Sequence, residues 1–314
     1  MPRYPALSPD GKTLVFSYQG DLWSAPSDGS ARARRLTAHP AYERRAAFSP
    51  DGKRIAYNSD RYGQTDVLVM PVDGGETERL THYSGGSTLQ DWSGDGGTVL
   101  VTARRELQRR GPAFYTVKAT GGKPGRPKPV LAISNMLTGA LSPDGKHLVF
   151  ARGSGDWPRR GYRGSANADI WVYTLATKQF RQLTTFDGQD LWPLWLPDSK
   201  SVVYVSERDG TYNLYRQSIS GGGATQITRY KGDGVRNPTV SADGSRAAFE
   251  VGDRIATVAL NTPNAATRDV PLAVATDEKR NDLMVETLTG NATEMAATPD
   301  GEQIAVVVKG DIFV

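Results

Sequence analysis

A four-residue turn sequence, Ser-Pro-Asp-Gly or a close variant, recurs seven times along the chain of 314 residues. Successive turn aspartates, from Asp10 to Asp300, are separated by 41 to 57 residues. Proline presets its own φ, aspartate can bond to its own backbone and glycine accepts a positive φ, so each copy predicts a tight hairpin turn. A repeat of about this length is typical of four-stranded propeller blades.

Each copy of the turn lies within the same order of apolar segments. A short segment precedes it, as in 4–7, and a segment rich in β-branched and aromatic residues follows it, as in 14–16. A third segment opens with Asp or Asn, as in 21–23, and a fourth ends in Leu-Thr or Ile-Thr, as in 36–37. These runs are too short and too continuous for helices. We therefore predict four strands per repeat, named a to d in chain order.

The sequence thus predicts an all-β chain: a β-propeller of four-stranded antiparallel blades in seven repeat units. A single blade cannot bury both of its apolar faces, whereas blades packed around an axis can. The last copy ends at Val314 after its third strand, so the last blade is expected to be incomplete. Seven blades is the simpler count, and six closed blades with appended strands is the alternative. We expect residues 1–314 to form one propeller domain, as a fragment of a longer multidomain chain.

Composition narrows the classes of partner. A formal net charge of +4, from 38 basic and 34 acidic residues, is too even to indicate a nucleic-acid binder. No apolar run approaches the roughly 18 residues of a membrane-spanning helix, so we expect no membrane insertion. The chain has no cysteine and only three histidines, far apart in sequence, so neither a metal site nor a cofactor is expected. No leader is recognisable; the periplasm, if a leader was removed, and otherwise the cytoplasm are both open.

The repeats resemble those of TolB and tricorn-type propellers, and most closely the N-terminal propeller of bacterial tricorn-like serine peptidases. The resemblance spans nearly the whole chain and is carried by four segments: 4–23, 47–81, 162–175 and 303–314. In that family, hydrolysis belongs to a separate C-terminal domain, and a second propeller and a PDZ domain also lie downstream. The resemblance therefore implies an accessory module that works beside a protease domain, and not a complete enzyme.

The longer loops are the expected carriers of recognition. In an up-and-down blade the a–b and c–d turns share one face, and the more variable b–c and d–a loops share the opposite face. Two b–c loops, 103–112 and 151–168, are rich in arginine, whose planar guanidinium pairs bidentately with carboxylates. The candidate residues for binding a peptide carboxylate are Arg104, Arg105, Arg109, Arg110, Arg159, Arg160, Arg163, Trp157 and Tyr162.

Two interpretations of these arginines are open. They can be ordinary loop residues that pair locally with Glu106 and Asp156. In the tricorn-like family, however, an arginine pair of the first propeller anchors the C-terminal carboxylate of the peptide. The resemblance therefore makes three pairs candidates for that role: 104–105, 109–110 and 159–160.

Catalytic chemistry is not expected in this chain. There is no G-x-S-x-G motif, and the turn and strand c aspartates recur too regularly to be catalytic. The first hypothesis is a non-catalytic propeller that binds or channels peptide segments for an associated protease domain. The alternatives are a TolB-like scaffold that binds a folded protein and, as an enzyme, a propeller lyase acting on acidic sugars. Trp92 and Trp195, at matching positions before their turns, are predicted to be core wedges between blades.

Overall fold

The structure, a computed structural model, describes residues 1–105, 111–119, 125–155, 157–275, 290, 292–308 and 311–314. The described residues form 27 strands in seven antiparallel sheets, with one short 3-10 helix at Trp157–Arg159. The chain divides into two compact units, Met1–Val274 and Ala275–Val314, which are described separately. The expectation of a single domain over 1–314 stays a prediction.

The first unit contains six four-stranded sheets, each built from consecutive strands. Sheets one and two are β1 (Arg3–Leu7), β2 (Thr13–Tyr18), β3 (Asp21–Pro26), β4 (Arg34–Arg35), and β5 (Glu43–Phe48), β6 (Arg54–Ser59), β7 (Asp66–Pro71), β8 (Glu78–Arg79). Sheets three and four are β9 (Thr88–Trp92), β10 (Thr98–Ala103), β11 (Ala113–Lys118), β12 (Lys128–Leu131), and β13 (Met136–Leu141), β14 (His147–Arg152), β15 (Asp169–Thr174), β16 (Gln179–Gln182). Sheets five and six are β17 (Asp190–Trp195), β18 (Ser201–Ser206), β19 (Asn213–Ser218), β20 (Thr225–Gln226), and β21 (Val235–Val240), β22 (Arg246–Val251), β23 (Arg254–Ala259), β24 (Arg268–Asp269).

The second unit contains one three-stranded sheet of β25 (Ala292–Ala297), β26 (Ile304–Val308) and β27 (Asp311–Phe313). It is the seventh repeat unit, and among the described residues it has the three strands expected of the incomplete copy. The all-β fold of seven antiparallel repeat units is confirmed.

The six sheets of the first unit form a closed ring. Strand a of each sheet contacts strand a of the next, in the order β1, β5, β9, β13, β17 and β21, and β21 contacts β1 in turn. No sheet of this unit combines strands from the two ends of the chain, so the ring is closed by packing and by backbone and side-chain hydrogen bonds between sheets one and six. Strand a of each sheet therefore faces the axis of the ring.

The repeated turns have the predicted chemistry. In the first turn Ser8 Oγ donates to Asp10 Oδ1 (2.6 Å), and the backbone N of Lys12 donates to the same oxygen (3.1 Å). Gly11 adopts a φ of 69°, which a residue with a β-carbon rarely does. The same serine-to-aspartate bond is present at Ser49, Ser93, Ser142 and Ser241.

The turns of neighbouring sheets also touch one another. A β-carbon added at Gly52 would lie 3.4 Å from the Pro9 ring, and one added at Gly96 would lie 3.4 Å from the Pro50 ring. The turn of sheet six is bonded to the turn of sheet one, since the backbone N of Asp243 donates to the carbonyl of Pro9 (2.9 Å). The a–b turns therefore share one face of the ring, as predicted.

Aromatic side chains fill the space between sheets. Five of the six b strands carry a fully buried aromatic residue, namely Phe16, Tyr57, Phe150, Tyr204 and Phe249. Burial of each contributes about 2–3 kcal/mol to folding. Trp92 and Trp195 are buried as predicted, and their indole N–H groups donate to Ala47 and Ala140 in the preceding sheets (both 3.0 Å).

The Asp or Asn that opens strand c has a structural role as well. Thr81 Oγ1 accepts from the backbone N of Val67 (2.9 Å) and donates to Asp66 Oδ1 (2.9 Å), while Arg79 donates to Asp66 Oδ2 (2.7 Å). Asn213 and Thr228 repeat the arrangement in sheet five. These residues tie strand d to strand c, which explains the recurrent Leu-Thr and Ile-Thr strand ends.

Candidate functional site

Strand a of the six sheets encloses a central channel of about 420 Å³. The channel extends along these strands to the a–b turns, where its wall is formed by small and cyclic side chains: Pro9, Pro50, Gly94, Pro143, Pro197 and Ala242. A cavity of this size is comparable with those that hold small ligands. The channel is therefore the first candidate site.

Four channel-lining residues have a left-handed backbone. The φ angles are 50° at Tyr4, 53° at Arg45, 50° at Trp192 and 44° at Asn237. Each lies where the pairing of strands a and b shifts register, so each is part of a β-bulge. Such angles are costly for bulky residues and are concentrated at functional positions. The bulges place these four residues in the channel wall.

The described channel wall carries only three ionisable side chains: Tyr4, Arg45 and Asp91. The Arg45 guanidinium lies 5.1 Å from the centre of the Tyr4 ring. Asp91 Oδ1 accepts a bond from the backbone N of Trp92 (2.8 Å). Enclosure within the ring raises the pKa of Asp91 to about 6, which the bond from Trp92 only partly offsets.

The first arginine-rich loop meets the loop before β9 on the face opposite the a–b turns. The Arg105 guanidinium lies 4.7 Å from the Tyr83 ring and 5.7 Å from the Tyr115 ring, and the Tyr83 hydroxyl donates to the carbonyl of Arg104. A d–a loop and a b–c loop therefore do share this face. Arg109 and Arg110 lie outside the described residues.

Arg104 is exposed and lines a second cavity, of about 430 Å³, between sheets two and three. The other polar side chains of its wall are mostly hydroxyls: Gln64, Thr65, Ser84, Ser87, Thr88 and Thr102. We call this cavity the hydroxyl cleft. It combines one cation with several hydrogen-bond donors, the groups that a carboxylate needs.

The second arginine-rich loop extends over sheets five and six. The Arg163 guanidinium donates to Glu207 Oε1 (2.9 Å), and Arg160 donates to the carbonyl of Gly232 (3.3 Å). The Arg159 guanidinium stacks on the Tyr162 ring at 4.0 Å. The charge of Arg163 is thus compensated by an acidic residue 44 positions away, which the sequence does not indicate.

Trp157 contacts strand a of sheet six. Its ring lies 4.8 Å from the guanidinium of Arg236, which adjoins the channel residue Asn237. Among the described residues, no contact joins the arginines of the two loops. The described contacts of the first loop lie at sheet three and at the loop before it, and those of the second loop lie over sheets five and six.

Sequence reasoning missed the channel residues. The sequence did contain a signal for four of them. The same position, four residues before the first residue of a turn tetrapeptide, is occupied by Tyr4, Arg45, Trp192 and Asn237. The described residues contain no group of three or more His, Asp or Glu side chains placed to hold a metal ion. No helix in the described ranges has the length and apolar character needed to cross a bilayer.

The family model described as the tricorn protease N-terminal beta propeller domain matches residues 1–264. The chain belongs to this family. Tricorn protease homolog 2 of Streptomyces coelicolor is 27% identical over an alignment that covers 99% of the chain and 26% of that relative. The tricorn protease homolog of Saccharolobus solfataricus is 24% identical, with 99% of the chain and 28% of the relative covered. This tricorn N-terminal propeller thus spans about a quarter of the length of these relatives.

Solved structures show the same fold. The crystal structure of the tricorn protease superposes on the whole chain with a TM-score of 0.74 at 22% identity, and 30% of that protein is covered. The β-propeller domain of the Trilobed protease from Pyrococcus furiosus gives a TM-score of 0.54 at 14% identity, with 91% of this chain and 84% of that domain covered. At these identities the likeness of the tricorn propeller to solved structures is one of fold.

Proposed function

We propose that this tricorn-type propeller is a non-catalytic module that binds peptide segments by their free C-terminal carboxylate for an associated protease domain. The observation that carries the proposal is the position of Arg104 in the hydroxyl cleft. A guanidinium fork binds both oxygens of a carboxylate, and neighbouring hydroxyls can donate to the remaining lone pairs.

The surroundings of the other described candidates favour Arg104. Arg163 is paired with Glu207, and Arg160 donates to a backbone carbonyl. Arg105 is held between two tyrosine rings, where it adds positive potential beside the cleft. Among the described candidates, Arg104 is exposed and lines a cavity of about 430 Å³, which is within the usual size range of ligand pockets.

The protease domain in this proposal is a part of a longer protein. The relatives of this chain are named tricorn protease homologs, and the chain corresponds to about a quarter of their length. A propeller that holds chain ends beside such a domain would position peptides for hydrolysis without supplying the catalytic groups.

The test compares peptides that differ only at their C-terminus. We expect a fluorescein-labelled octapeptide free acid to bind about tenfold tighter than its amide in fluorescence polarisation, because charge-assisted bonds contribute about 1.5–3 kcal/mol where water is partly excluded. Arg104→Ala should abolish the preference.

Arg216→Ala is the matched control, since Arg216 pairs with the turn aspartate Asp198 at the opposite face of the ring. It should leave the preference unchanged. Equal binding of acid and amide by the unaltered protein would overturn the proposal.

A further inference from the structure

The channel wall holds one carboxylate where the repeat does not require one. Asp91 is two residues before its turn, and the equivalent positions of the other five sheets are Ala6, Ala47, Ala140, Leu194 and Thr239. The strand pairing confirms the equivalence, because each of these residues lies opposite the third residue of its strand b. A small or apolar side chain is therefore sufficient for the fold.

Asp91 has no compensating charge among the described residues. The one bond to its side chain comes from the backbone N of Trp92. Enclosure raises its pKa to about 6, and no cation is among the groups that act on it. A carboxylate that is enclosed, unpaired and dispensable for the fold is a candidate for binding a ligand.

Arg45, the basic residue of the channel wall, is not among the groups that act on the Asp91 carboxylate. The Arg45 guanidinium belongs to sheet two and lies over the Tyr4 ring of sheet one, on the side away from sheet three, where Asp91 lies. The remaining described residues of the wall are uncharged. Near neutral pH, the part of the channel at sheet three is therefore negative, and the low dielectric of the surrounding protein strengthens its attraction for a cation.

The side chains of the channel wall indicate that a ligand bound at Asp91 would be an organic cation. A hard metal ion requires about six or more oxygen ligands, and a single carboxylate does not supply them. Trp192 adds aromatic surface to the channel wall, and aromatic rings attract ammonium and guanidinium groups.

We propose that Asp91 is a binding residue for the cationic group of a peptide, a lysine or arginine side chain, in the central channel. This inference rests on the proposed function, because a peptide must occupy the propeller. It assigns the carboxylate of the peptide to the hydroxyl cleft and its cationic side chain to the channel, so the two sites can be tested separately.

The experiment uses octapeptide free acids of Gly, Ser and Ala that carry one lysine, moved along the peptide, and a matched series with glutamine. We expect at least one position at which lysine binds about tenfold tighter than glutamine near neutral pH. Asp91→Asn should reduce that preference to within about twofold. Asp91→Ala, which introduces the residue of three other sheets, should do the same and guards against a specific effect of asparagine.

Asp73→Asn is the matched control, since Asp73 is an exposed turn residue outside the channel. It should retain the lysine preference. Survival of the preference in both Asp91 variants, or its absence at every position in the unaltered protein, would overturn the inference. If the lysine preference is absent but the unaltered protein and the Asp91 variants still bind the free acid more tightly than the amide, the proposed function stands without the channel inference. If no peptide binds to the unaltered protein, the proposed function and the channel inference both fail.

Discussion

At the scale of single residues, the environment decides whether the pKa of an aspartate in this propeller is lowered or raised. The turn aspartates accept bonds from a serine and from the backbone, which lower the pKa of Asp10 and Asp51. Asp91 has the opposite shift because it is enclosed and accepts one bond. The hydrogen bonds of the turn stabilise the charged form of the turn aspartates, whereas enclosure in the channel destabilises the charged form of Asp91.

The Asp91 carboxyl group should make the free energy of unfolding fall as the pH rises. Its pKa is about 6 in the folded chain against 3.8 ordinarily, so the folded state binds more protons between these values. Asp91→Asn should therefore raise the free energy of unfolding by about 1–2 kcal/mol more near pH 7.5 than near pH 4.

Urea unfolding of both proteins at the two pH values measures this difference. Arg45 and Tyr4 are the other ionisable groups of the described channel wall. Asp73→Asn serves as the exposed control. A pH-independent effect of Asp91→Asn would contradict the prediction.

At the scale of elements, the second arginine-rich loop is held by one buried carboxylate. Glu207, whose side chain is 1% exposed, accepts from the backbone N of Gly161 (2.6 Å) and of Gln189 (3.0 Å) as well as from Arg163. Three donors from two loops thus converge on one residue. The loop of sheet four is fixed on sheet five by charge and hydrogen bonds, without secondary-structure pairing.

Removal of that charge should release the loop while the sheets remain folded. In Glu207→Gln an amide group replaces one acceptor oxygen, so at least one of the three donors loses its bond. We expect trypsin to cleave after Arg159, Arg160 or Arg163 about tenfold faster than in the unaltered protein.

Mass spectrometry of the early products identifies the sites of cleavage. Glu76→Gln, in an exposed turn, is the control and should be cleaved at the original rate. Unchanged cleavage within the loop of the Glu207 variant would show that other contacts hold it.

At the scale of the whole first unit, Glu250 is one of the residues that join sheet six to sheet one. Its side chain is 1% exposed and accepts from the backbone N of Tyr4 (2.7 Å) and from Asn237 (2.9 Å), and it pairs with Arg3 at 3.0 Å. Two of these three partners belong to sheet one. Together with the backbone bond from Asp243 to Pro9, this carboxylate connects the two ends of the ring.

Glu250→Ala should cost about 3 kcal/mol of unfolding free energy, because it leaves buried donors and a partly buried arginine without a partner. The exposed pair Arg254–Asp269, at 2.6 Å, is the control. Asp269→Ala should change stability by less than about 1 kcal/mol. If urea unfolding shows equal losses of unfolding free energy for the two substitutions, a special role for Glu250 at the contact between sheets six and one is contradicted.

The sequence alone determined the repeat, the order of strands, the turn chemistry and the tryptophan wedges. Each of these depends on residues that are close in the chain, or on a pattern that recurs in every copy. The placement of Arg104 and Arg105 on the face of the longer loops was also predictable, because b–c loops of an up-and-down blade share a face; their role in binding stays a prediction.

Only the tertiary structure decided which charges are paired and which sheets meet. Tyr4 and Glu250 are 246 residues apart, Arg163 and Glu207 are 44 apart, and neither pair leaves a local signal in the sequence. The direct contact of sheet six with sheet one and the position of the Asp91 carboxylate in the channel likewise depend on how the sheets close around the axis. Such long-range juxtaposition is set by packing, which composition and periodicity do not encode.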